Sequence, residues 1–292
     1  MTPVALALVL CGALAHASWN LVLKKSPGGG IAFFWLVGCA ETVLYAPLAI
    51  GQMALADYTP DLVALGMILG SGLMHVAYFW LLDRGYRTGD LSVVYPLARA
   101  TGPLLTMAAA IVLLGDRPGA MALAGAGLIL AGALALGGNP LRLFSRGGRP
   151  KGLGFALACG ASIAVYTVWD RQAVAHFLIP AILFYWGTLV ARVIVTAPHA
   201  WTERAKVAGI WRADRKSVLL VAVLSPLSYT LALFAMKLAP LSLVAPARET
   251  SILFATLMGT KLLAEGRDDG QNRRRLLCAG GMTVGLGLLA LG

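Results

Sequence analysis

Residues 91–116 read LSVVYPLARATGPLLTMAAAIVLLGD, and residues 241–265 read LSLVAPARETSILFATLMGTKLLAE. Both open Leu-Ser-x-Val-x-Pro, both place an arginine just after the proline (Arg99, Arg248), and both run on apolar to an acid, Asp116 or Glu265. One gap keeps them in register, because YPLAR answers APAR. Each stretch is long enough to cross a bilayer as a helix, for which about 20 apolar residues suffice. A proline inside such a helix removes a backbone donor and clashes with the preceding turn. An arginine at that depth needs a counter-charge, a polar cavity or a bound solute. The same costly combination twice in one chain indicates a duplication with a purpose.

Around this pair the chain is apolar throughout. Of its 292 residues 59% are hydrophobic and 13% charged, against about 25% charged in soluble domains. Mean hydropathy is +0.78. The apolar runs place ten spans, at 3–23, 31–51, 62–82, 91–114, 119–137, 153–169, 178–197, 217–236, 241–263 and 276–291. The first run, with ALAHAS downstream, has the outline of a signal peptide. No Lys or Arg precedes it, however, and it continues to Leu23, so it is read as a span. The expected fold is an all-α integral membrane protein, ten transmembrane helices arranged as two inverted five-helix repeats, residues 1–145 and 146–292.

The orientation follows from the basic residues. The odd-numbered joins carry clusters, such as Arg204, Lys206, Arg212, Arg215 and Lys216 between spans 7 and 8, while the even-numbered joins hold only Arg117, Arg171 and Lys237. Basic joins stay in the cytoplasm, so both termini are expected on the non-cytoplasmic side of an inner (plasma) membrane. Five spans per half is an odd number, so the second half must start from the opposite face. Further echoes run in order through the two halves: Trp19-Asn20 with Trp169-Asp170, and Tyr78 with Tyr229. Inverted repeats with a site at mid-membrane are the arrangement of many secondary transporters.

The net charge of +11 is accounted for by these joins, and nothing suggests a nucleic-acid partner. Cys11, Cys39, Cys159 and Cys278 each lie in an apolar run without CxxC spacing, as small buried hydrophobes. The four histidines form no ligand cluster. No metal and no cofactor is expected. The expected partners are a small-molecule substrate and the lipid bilayer, with the chain a monomer or homodimer.

HASWNLVLKKS at 16–26, YPLARATGP at 95–103 and LLAEG at 262–266 together resemble the EamA-type branch of the drug/metabolite transporter superfamily. The resemblance extends over the whole chain as two EamA-like units. It implies an inner-membrane carrier that moves small metabolites, often outward, by alternating access. Small multidrug members of that superfamily couple protons through a glutamate in the first span; span 1 here holds no acid, so that scheme does not transfer.

The candidate substrate-binding residues are Trp19, Asn20, Tyr78, Tyr95, Arg99, Tyr166, Trp169, Tyr229 and Arg248. Arg99 lies about 12 Å into its span and Arg248 about 10 Å, at about 1.5 Å per residue. Two readings stand for each: binding an anionic group with a planar fork of donors, or pairing with an internal acid. Pro96 and Pro246 free backbone carbonyls that a cavity or a neighbouring helix must satisfy. Glu41, Glu249 and Asp170 are the coupling or ion-pair candidates: Glu41 as a proton relay or as a partner of Arg99 or Arg248, Glu249 as such a partner, and Asp170 with the alternative of a solvated place at the interface. The aromatic residues either line a pocket or form an interfacial belt. Arg192 and Lys261 are expected to snorkel to the headgroups, and His75 to be a packed core residue. Phe33, Phe34 and Trp35 are assigned to packing or lipid contact. Gly125-Ala126-Gly127 in span 5 and Gly280-Gly281 in span 10 suit close helix contact.

These residues favour a secondary transporter of an amino acid or organic anion. The alternative is a flippase for a phosphate-bearing lipid-linked intermediate. An intramembrane enzyme has only Ser71 with His75 in its favour, and their spacing fits no hydrolase motif.

Overall fold

The computed structural model describes residues 1–26, 30–89, 91–137, 152–262 and 269–292. These residues form helices: α1 (Pro3–Lys25), α2 (Ile31–Leu55), α3 (Leu62–Thr88), α4 (Leu91–Leu113), α5 (Ala120–Gly137), α6 (Leu153–Arg171), α7 (Ala181–Thr202), α8 (Arg204–Leu238), α9 (Leu241–Arg248), α10 (Thr250–Leu262) and α11 (Asp269–Leu291). A π-helical turn, Gln172–His176, extends α6. Among the described residues seven helices are long and apolar enough to cross a membrane: α1, α2, α3, α6, α7, α8 and α11. Leu97–Leu113 in α4 and Ala120–Leu136 in α5 are shorter apolar helices.

The sequence explains where the helices start. The Thr2 hydroxyl accepts from Ala5 N at 3.3 Å with proline in the first turn of α1, and Asp61 Oδ1 accepts from Ala64 N at 2.7 Å at the head of α3. Both satisfy amides that a helix start leaves open. Two other helices are capped from a distance. Gln52 Oε1, on α2, accepts from Ile182 N at 2.9 Å and Leu183 N at 3.1 Å, at the start of α7. Asp116, just past α4, accepts from Ser242 N at 2.9 Å, at the start of α9. The acid that ends the first repeated stretch therefore caps the second.

Two expected spans are built differently. The ninth is broken into α9 and α10, with the break at Glu249, three residues beyond Pro246. The basic join 198–216 is largely helical: α7 runs on to Thr202, and α8 begins at Arg204 with a kink at Asp214 (φ −142°, ψ 33°). Asp214 ties this segment to the end of α1 through the Ser26 hydroxyl. Burial works against the charge of Asp214, but hydrogen bonds from Ser217 and Ser26 outweigh it and hold the carboxyl below its usual range.

Helices α1 and α8 pack together, as do α3 and α6; α2 packs on α7 and α8, α3 on α7, α4 on α6, α10 on α1, and α5 on α11. The α2–α7 contact holds a reciprocal pair of bonds. Trp35 Nε1 donates to Val193 O at 3.1 Å, and Trp186 Nε1 donates to Thr42 O at 2.9 Å. Positions 35 and 186, like 42 and 193, stand 151 apart. Between α5 and α11 the backbones nearly touch: a Cβ added at Gly125 would lie 2.4 Å from Gly285 O. That is the close approach small residues permit; Gly127, Gly280 and Gly281 face open space instead. The Met1 ammonium donates to Ala290 O at 3.0 Å, so the start of α1 meets the end of α11.

Outward-facing residues are apolar, with Leu48, Leu69, Val112, Ile194 and Val284 all more than half exposed. Contiguous apolar surface of this extent suits lipid rather than water. Cys11 belongs to this surface and is exposed, contrary to expectation; Cys159 is buried, Cys39 and Cys278 are half-buried, and all four are free. Phe33 is completely buried.

Candidate solute-binding cleft

The break at Glu249 puts a short helix end, with its arginine and glutamate, beside α1. There the bundle encloses about 290 Å³ of empty space, part of it open to solvent. Its lining is Val9, Gly12, Ala13 and His16 of α1, Arg99 of α4, Ser228 and Ala232 of α8, Arg248 of α9, Glu249, and Ser251 of α10. Gly12 lets α1 approach closely, since a Cβ there would stand 3.0 Å from Ser228 O. The cleft is narrow as it stands, with room for about one water between its walls.

Arg99 Nη2 pairs with Glu249 Oε2 at 3.1 Å and donates to Ser251 Oγ at 3.2 Å, while Nη1 lies 3.4 Å from His16 Nε2. Glu249 is buried, so the pair replaces hydration that both charges lose. Arg248 is placed differently. Its guanidinium carbon lies 5.1 Å from the Tyr229 ring centroid, a cation–π distance, and among the described residues no carboxylate lies within ion-pair distance of it.

Behind Tyr229 is a buried polar and aromatic cluster. The Tyr229 hydroxyl donates to Asp170 Oδ2 at 2.5 Å. Asp170 is completely buried, which corrects the expectation of a solvated interfacial acid: α3, α7 and α8 cover the end of α6. His75 Nδ1 contacts Ser71 O at 2.9 Å, and its ring lies 4.1 Å from that of Tyr166 and 5.8 Å from that of Tyr229. His75 is thus packed in the core, where aromatic neighbours and a local bond hold it. Trp169 donates to Met67 O at 2.9 Å and packs on Gly70, where any Cβ would clash. It belongs to the α3–α6 contact, not to an interfacial belt.

The remaining candidates with described side chains fall outside the cleft lining. Trp19 meets His16 edge-on with ring centroids 5.0 Å apart. Asn20 Nδ2 donates to His16 O at 2.7 Å, a bond within its own helix. Tyr78 stands 5.8 Å from Tyr166, ring to ring. The side chains of Tyr95, Pro96 and Lys261, and all of Glu265, lie outside the described residues. Glu41 is buried and bonds Ser225, with Arg192 as its charged neighbour, not Arg99 or Arg248. Arg192 correspondingly does not snorkel. It hydrogen-bonds Tyr185 and lies 5.1 Å from the Phe79 ring centroid, because the α2–α7 contact offers it a buried acid.

His16, Ser228 and Ser251 line the cleft and were not singled out from the sequence. His16 carries a legible signal, standing three and four residues before Trp19 and Asn20, hence on the same helix face. The two serines carry none, because only the packing of α8 and α10 brings them to Arg99.

Residues 150–268 match the model of the EamA-like transporter family. That segment holds Asp170, Tyr229, Arg248 and Glu249. No curated protein matches the chain. A solved crystal structure aligns over 100% of this chain and 99% of its own, with a TM-score of 0.72 and 16% sequence identity, which shows a shared fold. Residues 150–268 are thus similar to the EamA-like transporter family, and the apolar helical bundle is that of a multi-span membrane protein.

Proposed function

We propose that the protein is a secondary transporter, working outward by alternating access across an inner (plasma) membrane, for a small metabolite bearing a carboxylate, either an amino acid or an organic anion. The observation that carries this reading is Arg248, a guanidinium at the cleft with an aromatic neighbour but no carboxylate partner among the described residues. A guanidinium at a cleft with no carboxylate beside it is a ready bidentate site for a carboxylate. The charge balance around it favours a zwitterion as much as an anion: Arg99, Arg192 and Arg248 are matched by Glu41, Asp170 and Glu249.

Alternating access requires two halves that can exchange roles. We take residues 1–145 and 146–292 as those halves, ten crossings in inverted orientation. The helix contacts support this by exchanging as a two-fold axis requires: α1 on α8 answers α6 on α3, α4 on α6 answers α10 on α1, and α3 on α7 answers α8 on α2. The reciprocal bonds of Trp35 and Trp186 support it residue by residue. The meeting of Met1 with the end of α11 agrees with an even number of crossings, both ends lying on the non-cytoplasmic face by the distribution of basic residues.

The test is counterflow in proteoliposomes with labelled alanine, glutamate and succinate. At least one should accumulate against an internal load of the same compound. Absence of counterflow for all three, with a labelled quaternary ammonium transported instead, overturns the carboxylate reading.

A further inference from the structure

We propose that Asp170 is a proton-exchange site, linked through Tyr229 to the solute-binding Arg248, so that one proton travels with each carboxylate solute. The inference rests on the transport reading above and adds the coupling group.

Asp170 is completely buried, two residues before the π-helical turn at Gln172–His176, a local widening that recurs at functional sites. Its hydrogen-bond donor is neutral, the Tyr229 hydroxyl to Oδ2 at 2.5 Å, and its buried Oδ1 has no hydrogen-bond partner among the described residues. The groups around it are Ser71 and His75 on α3, Tyr166 on its own helix, Tyr185 on α7, Tyr229 on α8 and Arg248 on α9. Among the described residues no Lys or Arg lies within ion-pair distance of it. Keeping a buried carboxylate charged without a paired cation costs several kcal/mol, and a proton is the smallest ligand that removes that charge.

Arg248 is the cation able to change this balance. Its guanidinium stacks on the same tyrosine whose hydroxyl bonds Asp170. With the cleft empty, its positive charge favours the ionised carboxylate. When a solute carboxylate pairs with Arg248, that charge is neutralised and Asp170 takes up a proton. When the solute leaves on the other side, the proton is released there. Solute and proton therefore favour one another's binding and cross together, and an accumulated acid carries a proton out as it leaves. The matching position in the first half, Asn20, is an amide bonded within its own helix, so the site has no acidic counterpart at that position.

The test needs no solute, which separates it from the counterflow experiment. Infrared titration of the purified protein in detergent reads the protonated carboxyl band directly. Wild type should show a band that Asp170→Asn loses, while Arg248→Ala retains it to higher pH than wild type. Tyr229→Phe keeps the ring and removes the hydroxyl, and should displace the band frequency. Wild type and Asp170→Asn giving the same spectra from pH 5 to 9, with Asp170→Asn eluting as a folded monodisperse protein, overturns the proposal. So does a band whose titration midpoint Arg248→Ala leaves in place. Counterflow that succeeds while the infrared result is negative removes the proton site and leaves the transport reading standing.

Discussion

Arg99 and Arg248 occupy matching places in the two repeated stretches, and the molecule uses them differently. Arg99 gives its charge to Glu249 at 3.1 Å and shares a donor with Ser251. Arg248 lies against the face of Tyr229, and the nearby acid, Asp170, is reached through that tyrosine's hydroxyl. Both face the same cleft, so burial does not separate them. The difference is the placement of one acid: Glu249 follows Arg248 in sequence but points to Arg99, across the interface between the two stretches. One arginine holds α4 to the α9–α10 break; the other has no carboxylate within ion-pair distance among the described residues.

The largest effect expected from this contrast is on stability. Arg99→Ala strands Glu249 as a buried unpaired carboxylate, which should destabilise the fold by about 3–5 kcal/mol. Arg99→Ala combined with Glu249→Ala should recover most of that, as read from thermal unfolding in detergent. A double variant as unstable as the single one would show that the pair is not the structural link.

The next effect is on transport. Arg248→Ala should leave unfolding nearly unchanged and lower counterflow by roughly 10- to 100-fold, as expected for losing about 1.5–3 kcal/mol of charge-assisted bonding. Arg248→Lys should recover little, because a point charge does not reproduce the planar fork. If Arg248→Ala destabilised the protein as much as Arg99→Ala, the division of labour between the arginines would collapse.

The smallest effect tests the equivalence of the halves themselves. Trp35→Phe and Trp186→Phe each remove one of the reciprocal bonds between α2 and α7. Each should lower stability by about 1 kcal/mol, and by similar amounts. A clear inequality would mean that the two bonds are not related by the internal symmetry.

The helical bundle was legible because apolar runs and loop charges are properties of single segments. The paired stretches were legible because Pro96 and Pro246, and Arg99 and Arg248, stand in matching local motifs. What the sequence hid depends on contacts between segments. Nothing local distinguishes Asp170 from an interfacial acid; its burial comes from α3, α7 and α8 closing over the end of α6. Arg192 reads as a snorkelling residue until α2 brings Glu41 beside it. The break at Glu249 was also hidden, since Pro246 predicts distortion nearby without fixing the residue at which the helix divides. Trp35 and Trp186 were visible as residues but not as a pair, because their bonds cross the contact between α2 and α7.

Arg248 is proposed to receive the carboxylate of a small solute in this cleft. The most direct measurement is thermal unfolding of wild type and Arg248→Ala in the presence of alanine, glutamate, succinate or a quaternary ammonium ion. At about a hundredfold excess over its dissociation constant a bound solute adds about 2.7 kcal/mol of stability. The expected result is stabilisation of wild type by at least one carboxylate solute and loss of that stabilisation in Arg248→Ala. Equal stabilisation of both proteins, or stabilisation by the quaternary ammonium ion alone, would contradict it.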